Sequence, residues 1–288
     1  MRTRSTIVRG LIWAVVGVSM IAPVRGQEAD PLLERFDKMV RMNLDQPYVV
    51  DSGRLDAAMG LFADLPLGER IASWANWFRE LGRSRYVFGL DAQGYVAQGR
   101  LCQDFATDCI LFLYRVTELA RSTTAEEAVQ FAFGTRFYGA SVERAVAADG
   151  KVDYEDPAHL EYSEDMITSG IWGQDVTTSL GTNLEKSGDV TFIPTKDIPY
   201  RELKSGDMIW FVGDAKRPPD SVDDGRETRI HHVGFIDARQ GSVDLIHAAM
   251  KPLPGIYEEA GVVRVALKTY LERVDRFEGI VVTRLEEF

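Results

Sequence analysis

Near residue 200 the hydrophobic pattern of this 288-residue chain changes period, and that change bounds the folds open to it. Upstream the apolar residues follow a helical repeat. Leu32, Leu33, Phe36, Met39 and Val40 line one face behind Asp30-Pro31, a capping residue followed by a first-turn proline, so this helix should dock on the main body. Ile71, Trp74, Ala75, Phe78 and Leu81 make a second stripe on a helix from about Glu69 to Leu81, which Gly82 is placed to end. Between the two, the chain reads as an irregular or short-helical linker. Downstream come strand-like runs at Asp207 to Val212, His231 to Asp237, Val243 to Met250 and Gly279 to Leu285. A helical first half and a stranded second half predict an α+β fold. The segment from Gly213 to Arg229, with two prolines and many charges, reads as a long polar connection. The stretch from Gly134 to Pro199 shows no clear period, and there is no internal repeat or low-complexity tract.

The first residues have a different character. Arg2, Arg4 and Arg9 precede an almost unbroken apolar run from Leu11 to Ala22, and Val24 and Gly26 suit the small-residue rule for cleavage. A run of about a dozen residues is too short for a membrane span, which needs roughly 20. Residues 1–26 are therefore expected to be a signal peptide, cleaved after Gly26, which makes the protein exported, periplasmic or extracellular, with no stable membrane span. Residues 27–66 follow as a helical extension and 67–288 as the main domain. The leader holds four of the 33 basic residues and none of the 44 acidic ones, so its loss takes the net charge from -11 to -15. A surface that acidic repels phosphate backbones and argues against a nucleic-acid partner.

Cys102 and Cys109 are the two cysteines, too few for a disulfide scaffold. Cys109 opens a strongly apolar helix running to Ala120, with Thr107 or Asp108 as its cap. In that first turn the unpaired N–H groups and the helix dipole favour an anion, so both thiols are expected reduced and Cys109 reactive as a thiolate. The plain alternative is a small core hydrophobe. Of four histidines, His231, His232 and His247 fall on two adjacent strand-like runs. Neighbouring side chains on a strand face opposite ways, so one of His231 and His232 can meet the thiol, and His247 can hold its other ring nitrogen. Zinc on Cys109, His232 and His247 is a second reading of the same three side chains. His159 reads as a structural or substrate-contacting residue.

In order along the chain stand Arg85-Tyr86-Val87-Phe88-Gly89, Asp108-Cys109, Leu203-Lys-Ser-Gly206-Asp207-Met-Ile-Trp-Phe211, His232-Val-Gly-Phe235 and Ile246-His247-Ala248. This series resembles the NlpC-type peptidoglycan cysteine hydrolases, whose fold is a circularly arranged papain-like one with the nucleophile helix packed on an antiparallel sheet. Arg136-Phe-Tyr-Gly139, His159-Leu-Glu-Tyr-Ser-Glu-Asp165-Met-Ile167, Val176-Thr177, Leu180-Gly181 and Asp197-Ile-Pro-Tyr200 extend the likeness to the N-acetylmuramoyl-L-alanine amidase-like branch, over residues 69 to 285. Met166 stands where that branch has tryptophan and Leu111 where it has threonine, departures that bear on the substrate pocket. The resemblance implies Cys109 as nucleophile, His232 as base and His247 as the residue orienting it. Tyr86, Asp108, His159 and Asp165 are then the candidates for oxyanion stabilisation and substrate binding, and no metal or cofactor is required. The implied partner is peptidoglycan or a muropeptide, and the implied reaction is cleavage of the N-acetylmuramoyl-L-alanine amide through a thioester. A D-glutamyl-diaminopimelate endopeptidase and a non-enzymatic wall-binding module are the competing readings.

Overall fold

The computed structural model describes residues 30–46, 48–82, 84–87, 95–137, 142–160, 163–213 and 228–287. The expected leader lies outside them. So do most of the Gly213 to Arg229 connection and parts of three motifs, at residues 88–89, 138–139 and 161–162. Among the described residues no helix is long and apolar enough to cross a membrane.

Helices dominate the first part: α1 (Pro31–Leu44), α2 (Ser52–Phe62) and α3 (Leu67–Leu81) precede the short strands β1 (Arg85–Tyr86) and β2 (Ala106–Thr107). The helices α4 (Cys109–Ala120), α5 (Ala125–Arg136), α6 (Val142–Ala145) and α7 (Ser163–Ser169) follow. Then come β3 (Gln174–Asp175), α8 (Thr177–Leu180), β4 (Glu185–Ser187) and β5 (Val190–Pro194). The C-terminal part holds β6 (Met208–Gly213), β7 (Ile230–Asp237), β8 (Asp244–Ala249), β9 (Gly261–Ala266), α9 (Leu267–Arg273) and β10 (Phe277–Arg284). The fold is α+β, and its large sheet is antiparallel, in the order β4-β5-β10-β6-β7-β8-β9, with β3 on the end of β10.

The stretch expected to be a linker contains α2. Asp51 caps it, its carboxylate accepting the Arg54 N–H at 3.1 Å, and Leu55, Ala58 and Met59 are buried. Both α1 and α2 pack on α5, and their buried residues join the main core. Alternation along β6 divides the sheet's two faces. Met208, Trp210 and Val212 join the helical core that includes α4, while Ile209 and Phe211 join a second core closed by Leu267 and Tyr270 of α9.

Behind α4 lies a buried ionic cluster. Arg136 on α5 makes a two-pronged contact with Glu118, at 2.7 and 2.8 Å, and Arg115 reaches Asp104 at 2.8 Å. All four side chains are withdrawn from solvent, so each charge depends on its partner. The cluster ties α4, the helix that Cys109 opens, to α5 and to the segment leading into β2.

Candidate active site

Asp108 has extended backbone, φ -114° and ψ -170°, and its carboxylate accepts the Leu111 N–H at 2.7 Å, so α4 begins at Cys109. The parallel pairing of β1 with β2 sets Tyr86 opposite Thr107, beside that helix start. Tyr86 and Cys109 then share the wall of a cleft of about 260 Å³ with His231, His232 and His247.

The two strands supply the imidazoles. His232 Nε2 lies 2.8 Å from His247 Nδ1, the rings inclined at 86°. That contact needs β7 and β8 close together, and Gly234 provides the closeness: a Cβ there would stand 2.8 Å from the His247 Cβ and 2.7 Å from Leu245 Cδ1. With its Nε2 occupied, His232 has Nδ1 left for proton exchange.

His231 departs from the alternation expected of it. Phe211 of β6 pairs with His232, but Val212 pairs with Ile230, so His231 is an extra residue in β7. Such a bulge interrupts the regular turning of side chains from face to face. His231 consequently lines the same cleft, its ring over Gly213, where any Cβ would overlap Nδ1.

The electrostatics work against the expected resting thiolate. Burial pushes the Cys109 thiol up to about 12, and the Asp108 carboxylate acts the same way, against the N–H groups of Val233, Ile110 and Cys109 itself. Burial also holds His232 well below the ordinary imidazole range, with His247 and Arg276 adding to the effect, and takes His247 down to about 3. Both shifts favour the neutral thiol and the neutral imidazole over the ion pair. A helix start favours an anion by a fraction of what burying that anion costs.

The remaining candidates sit elsewhere. Asp108 is the buried cap of α4, its carboxyl raised to about 6 by burial. His159 hydrogen-bonds Tyr95 Oη through Nε2 at 2.9 Å and stacks on Phe137 at 4.7 Å, inside an aromatic cluster. Asp165 is exposed in the first turn of α7. None of the three lines the cleft. Cys102 is free and buried, with Arg115 Nη1 at 3.3 Å from its sulfur, and burial raises it to about 11. Tyr257, Tyr270 and Arg276 line the cleft without any motif having pointed to them. Tyr270 sits with its ring 4.7 Å from that of His247.

No family model matches the sequence, and no curated protein matches it. Solved structures do. An N-acetylmuramoyl-L-alanine amidase from Bacteroides uniformis superposes with a TM-score of 0.52 at 19% identity, over 77% of this chain and 99% of that one. A Legionella pneumophila protein of the DUF1460 family superposes with a TM-score of 0.56 at 14% identity, over 82% and 94% of the two chains. The chain shares their fold.

Within that fold the cleft brings together a thiol at a helix start, an imidazole with one nitrogen engaged, a second imidazole engaging it, and a phenol. Tyr86 is held far above its ordinary range by burial, then by Cys109 and Asp108, so it stays a protonated donor. These groups are the parts that acyl transfer to sulfur requires.

Proposed function

We propose that the protein is an exported cysteine amidase of peptidoglycan, of the NlpC-type papain-like kind, which cuts the amide between the lactyl group of N-acetylmuramic acid and L-alanine. The observation that carries the reading is the 2.8 Å contact from His232 Nε2 to His247 Nδ1 in the cleft that Cys109 lines. The shared fold with an amidase supports the choice of bond.

As the thiol approaches the carbonyl, its proton passes to Nδ1 of His232 and sulfur bonds to the lactyl carbon. The oxyanion accepts hydrogen bonds from the Cys109 N–H and the Tyr86 hydroxyl. The carbon–nitrogen bond breaks as His232 returns the proton to the leaving alanine amine. Water, deprotonated by the same ring, then hydrolyses the thioester and frees the thiol.

Mass analysis of muropeptide digests tests the bond. The expected products are N-acetylmuramic acid and a peptide with a free alanine amine, unchanged in excess chelator. A new amine on diaminopimelate would establish the endopeptidase instead, and turnover abolished by the chelator and restored by zinc would establish a metal hydrolase.

A further inference from the structure

The described residues that line the cleft include two cations, Lys251 and Arg276, and no aspartate or glutamate, although the chain as a whole carries 44 acidic against 33 basic residues. A positive cleft on an acidic molecule selects for negative ligands.

Arg276 is the sharper of the two. Several buried and half-buried arginines are matched to acids, Arg115 to Asp104, Arg136 to Glu118, Arg239 to Asp237 and Arg284 to Asp207, while Arg35, Arg100 and Arg121 share the unmatched state of Arg276 but do not line the cleft. Arg276 is half-buried between α9 and β10 and forms no ion pair among the described residues. Its Nε is buried without a hydrogen-bond partner, and its guanidinium lies over the Phe277 ring at 5.0 Å. Stacking occupies a face of the guanidinium and leaves its N–H edge for a planar anion. Its charge acts on Tyr86, His232 and Tyr270, which places it within electrostatic reach of the reacting groups.

We propose that Arg276 anchors a carboxylate of the substrate by a two-pronged hydrogen bond, and that this carboxylate belongs to the second residue of the stem peptide, the D-glutamate after the alanine. The assignment rests on the amidase reading of the cleft. Arg276 lines the same cleft as Cys109, so the anchored carboxylate is a near neighbour of the scissile bond. A docked carboxylate also offsets the positive charge that disfavours protonated His232, so binding and proton transfer support each other.

Titration of the Cys109→Ala protein with N-acetylmuramoyl-L-alanyl-D-glutamate and with its diamide separates this inference from the amidase reading, since binding needs no turnover. The free acid should bind about 10- to 100-fold more tightly than the diamide, the range of one charge-assisted, two-pronged contact. A second substitution, Arg276→Gln, should remove that preference, and Arg276→Lys should restore part of it. A merely structural arginine would weaken both ligands alike. Equal binding of acid and diamide, a preference that survives Arg276→Gln, or no binding of either would overturn the inference. With Cys109 intact, failure to cut muropeptides despite a preference for the acid would defeat the amidase reading and leave the anchor standing.

Discussion

At the scale of single residues, burial decides the chemistry of the cleft. It raises the thiol and lowers both imidazoles, shifts that favour the neutral forms of all three groups. The pH dependence follows from the sign. A ring whose pKa is lowered stays neutral, and able to accept a proton, below the ordinary value of about 6.5. The acid limb of kcat/KM should therefore have its midpoint below 6.5, and a midpoint above it would contradict a buried His232 base. The same sign governs stability. His247 titrates near 3 when folded, so the unfolded chain binds more protons between there and its ordinary value, and acidification through that window should lower the melting temperature. His247→Asn should flatten the decline. Tyr86→Phe removes one oxyanion donor and should lower kcat by about 2–4 kcal/mol of barrier, roughly 30- to 1000-fold, with the melting temperature unchanged. Unchanged turnover with a lower melting temperature would mark Tyr86 as packing only. The capped cysteine was legible in the sequence because Asp108-Cys109 before an apolar run is a local signal. The way the sheet closes over it was not, because that depends on strands more than a hundred residues away.

At the scale of elements, two glycines and one buried ionic cluster hold the site. Gly234→Ala would force β8 away from β7, and we expect most activity lost with the sheet still formed, read as turnover alongside circular dichroism. Full activity in that variant would mean that the His232–His247 contact is dispensable. Glu118→Gln leaves Arg136 buried without its counter-charge and should destabilise the fold by about 3–5 kcal/mol in denaturant unfolding. A change within 1 kcal/mol, roughly what an exposed pair contributes, would show that α4 is held by packing alone. Helix α3, α4 and the strands β6, β7 and β8 were readable from periodicity. Helix α2 was not, since its buried set is only Leu55, Ala58 and Met59, although Asp51 before it was an available cap signal. The bulge at His231 left no trace in the pattern, because an inserted residue is defined by the partner strand and Gly213 merely permits it.

At the scale of the whole molecule, the sheet order places the last strand in the middle. Strand β10 lies between β5 and β6, and the turn that leads into it carries Arg276 to the cleft, where α9 delivers Tyr270. No sequence pattern announces that return, which is why Tyr270 and Arg276 went unseen while Cys109, His232 and His247, which line the same cleft, were legible as candidates. The architecture makes the cleft from elements spread from residue 86 to residue 276. In the proposed reaction Cys109 takes the acyl group from the sugar side of the scissile bond. The most direct measurement is intact mass and peptide mapping of the enzyme, acid-quenched within the first turnover of N-acetylmuramoyl-L-alanyl-D-glutamyl-diaminopimelate. The account predicts a thioester on Cys109 carrying the N-acetylmuramoyl group alone. An adduct that also carries alanine and glutamate, an adduct on another residue, or full turnover by Cys109→Ala would contradict it.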